Sequence, residues 1–280
     1  MNLLIKFLEL LDSQMNTPSS YGWFHFLFIG IVVVTTTLLC IFCKDCDNKT
    51  FKLISLISWI IIVALEFYKQ FVFSYDIDGN NITWDYEWYS FPFQFCSTPL
   101  YILPFIIFLK NEKFKDVFIG YMATFSLFAG TVVFIYPNDV FIGTIGINIQ
   151  TMIHHGLQII LGIFYIVHNR NKFNLMYYVK SIPVFVSVIM IAMVANIAVY
   201  HIFKNLGIDD TFNMFYISPY FDCTLPLLSI IYDNTVYPIF LCIYLFGFIL
   251  VAFIVYEIAH LILFITNNLI MNYKLRHKTA

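Results

Sequence analysis

The sequence predicts an all-α membrane protein, a polytopic helical bundle of about seven transmembrane helices. Of its 280 residues, 60% are hydrophobic and only 11% are charged, which is far from the composition of a soluble domain. A hydrocarbon core about 30 Å thick requires roughly 20 helical residues per crossing, and apolar runs of that length recur along the chain. No Gly/Ser-rich linker separates them, so we expect residues 1–280 to form a single transmembrane domain.

The elements can be assigned in order from the amino terminus. Residues 1–15 have an amphipathic pattern without the cleavage site of a signal peptide, which predicts a short helix along the outer interface. The connection 205–235 is long and rich in aromatic residues, and we expect it to fold as a lid over the outer end of the bundle. The predicted spans are residues 21–43, 51–73, 91–109, 116–136, 145–167, 178–203 and 236–265.

Lysine and arginine fall in alternate connections, and this alternation predicts the orientation. The connection 74–90 has four acidic residues and no basic one, and the connection 137–144 also has no basic residue. The positive-inside rule therefore predicts an outside amino terminus and a cytoplasmic carboxyl terminus. The basic residues assigned to the cytoplasmic side are Lys44, Lys49, Lys52, Lys110, Lys113, Lys115, Arg170, Lys172, Lys180, Lys274, Arg276 and Lys278.

Polar and ionisable side chains occur at similar depths in five of the predicted spans. A charge near the bilayer centre costs roughly 2.5–3.5 kcal/mol on insertion scales, so such residues are functional candidates. At about 1.5 Å per residue, all of them lie roughly 6–14 Å below the outer surface. Glu66 and Lys69 are three residues apart, which puts both charges on one helix face. The candidate site residues are His25, Glu66, Lys69, Cys96, Gln150, His154, His155 and Asn196.

A thiol and an imidazole at one depth suggest a cysteine nucleophile. A buried thiol reacts poorly unless a base or a cation favours the thiolate, and His155 or His154 could be the base for Cys96. At this depth the natural carbonyl group is a phospholipid ester, and attack on it would give a thioester. Residues that could orient the imidazole or stabilise an oxyanion are Glu66, Lys69, Ser97, Thr98, Gln150 and Asn196.

A cysteine run at the end of the first predicted span raises the question of a metal site. Cys40, Cys43 and Cys46 have the spacing of metal ligands, but the sequence shows no second cysteine or histidine cluster to complete four ligands. We therefore expect no metal and no cofactor.

Three stretches resemble a known family. They are FPFQFCSTPLYILPF around Cys96, QTMIHHGLQII with His154 and His155, and TFNMFYISP after the sixth predicted span. In span order they resemble segments of the YwaF-like integral membrane proteins, a mostly bacterial family related to the eukaryotic transmembrane protein 164 acyltransferases. The resemblance implies a bacterial plasma-membrane protein that moves acyl chains between phospholipids and lysophospholipids through a cysteine with a histidine partner.

Carried over by position, the resemblance implies Cys96 as the acyl acceptor and His155, which precedes Gly156, as the base, with His154 as the alternative. Two segments depart from the family pattern: the loop 213–216 reads Asn-Met-Phe-Tyr, and DNTVYPIF replaces a tryptophan-rich turn. The expected partners are membrane lipids, with no nucleic acid and no soluble protein. Two other functions fit the same polar layer, a small-molecule transporter or ligand sensor and a cysteine-dependent lipid hydrolase.

Overall fold

The computed structural model describes residues 3–276, with side chains to Thr266, and it confirms the all-α membrane bundle. Lys278 lies outside the described residues, and the orientation of the termini stays a prediction. Six helical segments among the described residues are long and apolar enough to cross a membrane, with Glu112–Ile135 counted as one segment, and a shorter apolar segment covers Phe95–Phe108. The helices are α1 (Leu3–Leu11), α2 (Trp23–Phe42), α3 (Asn48–Val72), α4 (Pro99–Phe108), α5 (Glu112–Tyr121), α6 (Leu127–Ile135), α7 (Ile145–His168), α8 (Leu175–Leu206), α9 (Leu228–Asn234) and α10 (Tyr237–Arg276).

The third predicted span, 91–109, is not one continuous helix. Phe91 has extended backbone, Phe95–Ser97 form a 3-10 turn, and α4 begins only at Pro99. Proline explains the break, because Pro92 disfavours helical backbone at Phe91 and Pro99 suits the first position of a helix. Cys96 therefore lies in a tight turn before α4, and not one and a half turns inside a helix as the sequence suggested.

Helix α7 is the centre of the bundle and packs against α2, α3 and α6. Glycines allow the closest approaches. A Cβ added at Gly130 of α6 would lie 2.6 Å from the backbone oxygen of His155, and one at Gly156 of α7 would lie 2.7 Å from a methyl group of Val32. The span made by α5 and α6 also contains a π-helical turn, Met122–Ser126, whose five residues are all buried. The polar face of α7 is thus held at fixed distances from its neighbours.

Polar side chains gather in two parts of the bundle, the lysine end and the cysteine end. The lysine end is where α3, α5 and α8 begin and α7 ends, since Asn48, Glu112, His168 and Lys172 line one cavity there. We call the opposite half of the bundle the cysteine end; it includes the beginning of α7, and the 3-10 turn of Cys96 lies beside the middle of α7, at His154 and Gln158.

The first helix docks at the cysteine end. Ile5 and Leu8 are buried against the bundle, and the hydroxyl of Tyr75 donates to the backbone oxygen of Leu8 at 3.0 Å. Two short strands, β1 (Asp76–Asp78) and β2 (Asn81–Thr83), form an antiparallel hairpin after α3. The exposed apolar face of α1 fits the predicted interfacial position, and its residues are Leu3, Leu4, Phe7 and Leu10.

Candidate active site

The turn that carries Cys96 is anchored to helix α5. The hydroxyl of Tyr121 donates to the hydroxyl oxygen of Thr98 at 3.0 Å, and the Thr98 hydroxyl donates to the backbone oxygen of Phe95 at 2.8 Å. Ser97 and Thr98 are buried, whereas Cys96 is only partly buried. The turn therefore holds Cys96 on a fixed backbone.

Helix α7 binds the backbone of Cys96 directly. The Nε2 atom of His154 lies 2.9 Å from the Cys96 carbonyl oxygen, and the side-chain nitrogen of Gln158 donates to the same oxygen at 2.7 Å. His154 and Gln158 are four residues apart, so they share one face of α7. Because a carbonyl only accepts hydrogen bonds, the proton of His154 is on Nε2. These bonds bring Cys96 and His154, which are 58 residues apart in sequence, into one site.

His155 has the complementary tautomer. Its Nδ1 atom lies 2.7 Å from the Thr151 carbonyl oxygen, so Nδ1 carries the proton and Nε2 has a free lone pair. Both histidines are buried, and their ring centroids are 5.4 Å apart. The described residues provide no hydrogen-bond partner for Nδ1 of His154 or Nε2 of His155. Since buried polar atoms are nearly always paired, these two lone pairs point to a ligand or a reacting group.

An ion pair on helix α3 joins the buried Glu66 to Lys69, whose side chain is 16% exposed. Lys69 is 2.8 Å from the carboxylate of Glu66, and the side chain of Gln70 donates to Glu66 at 2.7 Å and to the Ser90 carbonyl at 2.8 Å. The i,i+3 and i,i+4 spacing produces this arrangement. Gln70 thus links the ion pair to the backbone of Ser90, six residues before Cys96.

Of two other predicted site residues, Gln150 lies on the same helix as His154, whereas His25 lies elsewhere. Gln150 is buried on α7, one turn before His154, and its oxygen is 3.4 Å from the hydroxyl of Thr151. His25 instead packs among aromatic rings, with its centroid 6.0 Å from that of Phe134 and 5.9 Å from that of Phe141. Its Nδ1 accepts from the backbone nitrogen of Tyr21 at 3.1 Å, a contact within the start of the first span. His25 and Cys96 were predicted at similar depths in the membrane, but His25 contacts Tyr21 and aromatic rings instead of the Cys96 turn.

The cysteine, both histidines and the ion pair all lie within a region that one family shares. Residues 20–256 match the model of the TMEM164 family. The chain belongs to the TMEM164 family. No curated protein and no solved structure matches it. Membership confirms the predicted relation to the transmembrane protein 164 proteins, while the narrower YwaF-like assignment stays a prediction.

In this TMEM164 family member, the connection after α8 is tied to the Cys96 segment. The side chain of Gln94, two residues before Cys96, accepts from the Phe215 nitrogen at 2.7 Å and donates to the Asn213 oxygen at 3.1 Å. Asn196 of α8 makes two bonds to the backbone of Met214, at 2.7 and 2.9 Å. Asn196 therefore holds this connection and does not orient a histidine ring.

The same connection stores backbone strain. Phe215 and Tyr216 have φ angles of 58° and 57°, a left-handed conformation that is rare for bulky residues. Such residues cost of order 1–3 kcal/mol each and persist where the surroundings over-determine them, often at functional sites. Met214 and Phe215 are fully buried, and helix α9 interrupts the remainder of 205–235. The segment predicted to be a lid is therefore pinned at residues 213–216, and its role as a lid stays a prediction.

Three residues of the site were not among the predicted site residues. Gln158 shares the spacing of His154, so the i,i+4 stripe on α7 was the signal that could have identified it. Gln94 and Tyr121 act through partners 121 and 23 residues away, and no local pattern indicates such contacts. The candidate site thus depends on side chains that hold the backbone in place as well as on the candidate chemical groups.

The cysteine run lies at the lysine end, away from this site. Cys46 is 3.9 Å from Nδ1 of His168, and burial is the main cause that raises the pKa of the Cys46 thiol. Among the described residues, no group of three or more histidine, cysteine or acidic side chains is arranged to hold a metal ion.

Proposed function

We propose that this protein is a membrane-embedded acyltransferase in which Cys96 accepts an acyl chain from a phospholipid ester. The observation that carries the proposal is the state of His155. Its Nδ1 proton is held by the Thr151 carbonyl, and its buried Nε2 lone pair has no partner among the described residues. An imidazole with one nitrogen held by a carbonyl and the other nitrogen free has the state that the general base of thiol and hydroxyl enzymes requires. His155 is adjacent on α7 to His154, which binds the backbone of Cys96.

The first half-reaction forms a thioester. The Cys96 sulfur attacks the ester carbonyl carbon of a phospholipid, and its proton passes to Nε2 of His155. The tetrahedral intermediate then breaks its carbon–oxygen ester bond. The leaving oxygen takes the proton from His155 and departs as the hydroxyl group of a lysophospholipid, so that atoms and charge balance.

The second half-reaction reverses these roles. The hydroxyl group of an acceptor lysophospholipid loses its proton to His155 and attacks the thioester carbon. The carbon–sulfur bond breaks, and the sulfur regains the proton as the thiol. A site surrounded by buried side chains favours this transfer over hydrolysis, because it limits access of water to the thioester.

The neighbouring charges support thiolate and oxyanion formation. Lys69 carries a positive charge and keeps ammonium hydrogens beyond the one it gives to Glu66. Glu66 in turn keeps the pair neutral, which lowers the cost of burying the lysine. We assign Lys69 the stabilisation of developing negative charge and Glu66 the orientation of Lys69.

Acyl labelling tests the function. The purified protein is incubated with a phospholipid that carries a labelled acyl chain, and protein-bound label is measured for wild type, Cys96→Ser and Cys242→Ser. Cys242 is an exposed cysteine of α10 and serves as the matched control. We expect label on wild type and on Cys242→Ser and none on Cys96→Ser. Equal labelling of the three proteins would contradict the proposal.

The fate of the label distinguishes a transferase from a hydrolase. Labelled wild-type protein is chased with a lysophospholipid or with buffer alone. We expect the label to appear in a diacyl lipid in the first case and to stay on the protein in the second. Release of labelled fatty acid at the same rate in both would identify the protein as a hydrolase.

A further inference from the structure

The lysine end contains a second polar site that the proposed reaction does not use. A cavity of about 210 Å³ opens between the beginnings of α5 and α8. Its lining includes three lysines but only one acidic residue, Asp116. That carboxylate is already bound to Lys172, at 3.0 Å. The other two lysines, Lys113 and Lys180, have no carboxylate opposite them in the lining.

A buried hydroxyl group in the same cavity lacks a partner. Tyr177 is 6% exposed and lines the cavity, and its hydroxyl makes no hydrogen bond of normal geometry within the described residues. The carboxylate of Asp116 is close to this hydroxyl but is bound to Lys172. A phenol hydroxyl can donate one hydrogen bond, and burying it without an acceptor is unfavourable. An oxygen of a bound anion would satisfy it.

The backbone around the cavity also favours an anion. Lys113 is in the first turn of α5 and Met176 is in the first turn of α8, so two helix amino termini border the same space, although capping asparagines already accept from the Lys113 and Met176 nitrogens. Each contributes a partial positive charge from its dipole. Lysines, a hydroxyl donor and helix amino termini together are the usual components of phosphate sites.

Apolar side chains on the rim favour a lipid as the source of that phosphate. Next to the cavity, Phe114, Met176 and Val179 are 62%, 53% and 40% exposed. A headgroup phosphate in the cavity would leave acyl chains beside these residues, as in a lipid bound at the membrane boundary. A soluble phosphate would make no use of this surface.

We infer that Lys113, Lys180 and Tyr177 bind the phosphate group of an anionic phospholipid at the lysine end. The site is separate from Cys96: His168 at this end of α7 follows His155 by 13 residues, about 20 Å along the helix. The inference does not depend on the acyltransferase activity. It assigns the protein a lipid ligand at the end of the bundle opposite the proposed chemistry.

Lipid retention in a neutral detergent tests the site. Full-length protein is mixed with phosphatidylglycerol or phosphatidylcholine, and bound lipid is counted by native mass spectrometry. We expect phosphatidylglycerol to be retained, and retention to fall at least about fivefold in Lys113→Gln/Lys180→Gln and about threefold in Tyr177→Phe. The control, Lys44→Gln/Lys49→Gln, removes the same charge from exposed lysines outside the cavity, and we expect a change below about twofold.

The control separates a site from general attraction to basic residues. An equal loss in the two double variants, or unchanged retention in Tyr177→Phe, would overturn the assignment. Inorganic phosphate added to lipid-free protein distinguishes the source of the phosphate. Thermal stabilisation of wild type but not of Lys113→Gln/Lys180→Gln would support the phosphate site and overturn the lipid as its source, whereas no stabilisation supports the lipid.

Discussion

The two ends of the bundle treat polar groups differently. At the lysine end, Arg170 is bound to Asp45 at 2.5 Å and Lys172 to Asp116 at 3.0 Å, and in each pair one partner is more than half exposed. At the cysteine end, His154 and His155 are buried, and each keeps a nitrogen without a partner. Exposed pairs contribute little to stability, whereas buried unpaired atoms reduce it. On the proposed function, the free histidine nitrogens at the cysteine end serve the reaction, whereas the buried hydroxyl of Tyr177 at the lysine end is free for a bound anion.

Strain follows the same division. The left-handed residues Phe215 and Tyr216 belong to the connection that Gln94 ties to the Cys96 turn. At the lysine end, the beginnings of α3, α5 and α8 are capped by Asp47, Asn111 and Asn174, whose side chains accept from backbone nitrogens. Conventional caps stabilise their helices, while strain near Cys96 must be held by surrounding contacts. The strained backbone therefore lies in the segment tied to Cys96, and the capped helix starts lie at the lysine end.

The largest expected effect comes from the base. Replacing His155 with glutamine removes the Nε2 lone pair, and we expect the rate of acyl labelling to fall by about 10²–10⁴-fold. His154→Gln keeps an amide donor for the Cys96 carbonyl, so we expect a fall of less than about tenfold. Single-turnover labelling with a fluorescent phospholipid measures both. Equal losses in the two variants would show that the roles of the histidines are not distinct.

The next prediction compares an ion pair at each end. Lys69→Met leaves the buried carboxylate of Glu66 without its cation, and we expect a loss of about 3–5 kcal/mol in stability. Lys172→Met removes a half-exposed lysine, and we expect a loss below about 1 kcal/mol. Thermal unfolding in the same neutral detergent measures both. The double variant Glu66→Gln/Lys69→Met should recover most of the loss, and failure to do so would assign it to packing.

Much of the fold was predictable from the sequence, because the length and charge limits of membrane helices are strict. The pairing of Glu66 with Lys69 was also predictable, since i,i+3 spacing sets a side chain's direction on its own helix. The position of His25 was not. Rise per residue fixes the height of a side chain in the membrane, but its direction around the bundle depends on contacts between helices. Depth alone therefore placed His25 in the same layer as Cys96.

The Cys96 turn and the role of Asn196 were missed for related reasons. The two prolines around Cys96 were visible, yet hydropathy over 91–109 outweighed their effect on the backbone in the sequence interpretation. The sequence interpretation took Asn196 for a polar group that faces a cavity. A sequence does not distinguish an amide that faces a cavity from one that binds the backbone of a loop. Only the fold brings the backbone of Met214 to it.

The smallest predicted effect concerns helix packing at the cysteine end. A methyl group at Gly130 would lie 2.6 Å from the backbone oxygen of His155 and 2.8 Å from Cβ of Gln158, so α6 must move away from α7. Overpacking of this kind costs about 1–3 kcal/mol. A methyl group at Gly247 of α10 meets nothing within 4 Å, which makes Gly247→Ala the matched control. We expect Gly130→Ala to lower both the unfolding temperature and the labelling rate, and Gly247→Ala to lower neither. Loss of stability without loss of labelling in Gly130→Ala would show that the position of His155 tolerates movement of α6, and would weaken the view that close packing of α7 sets the geometry of the thiol and its base.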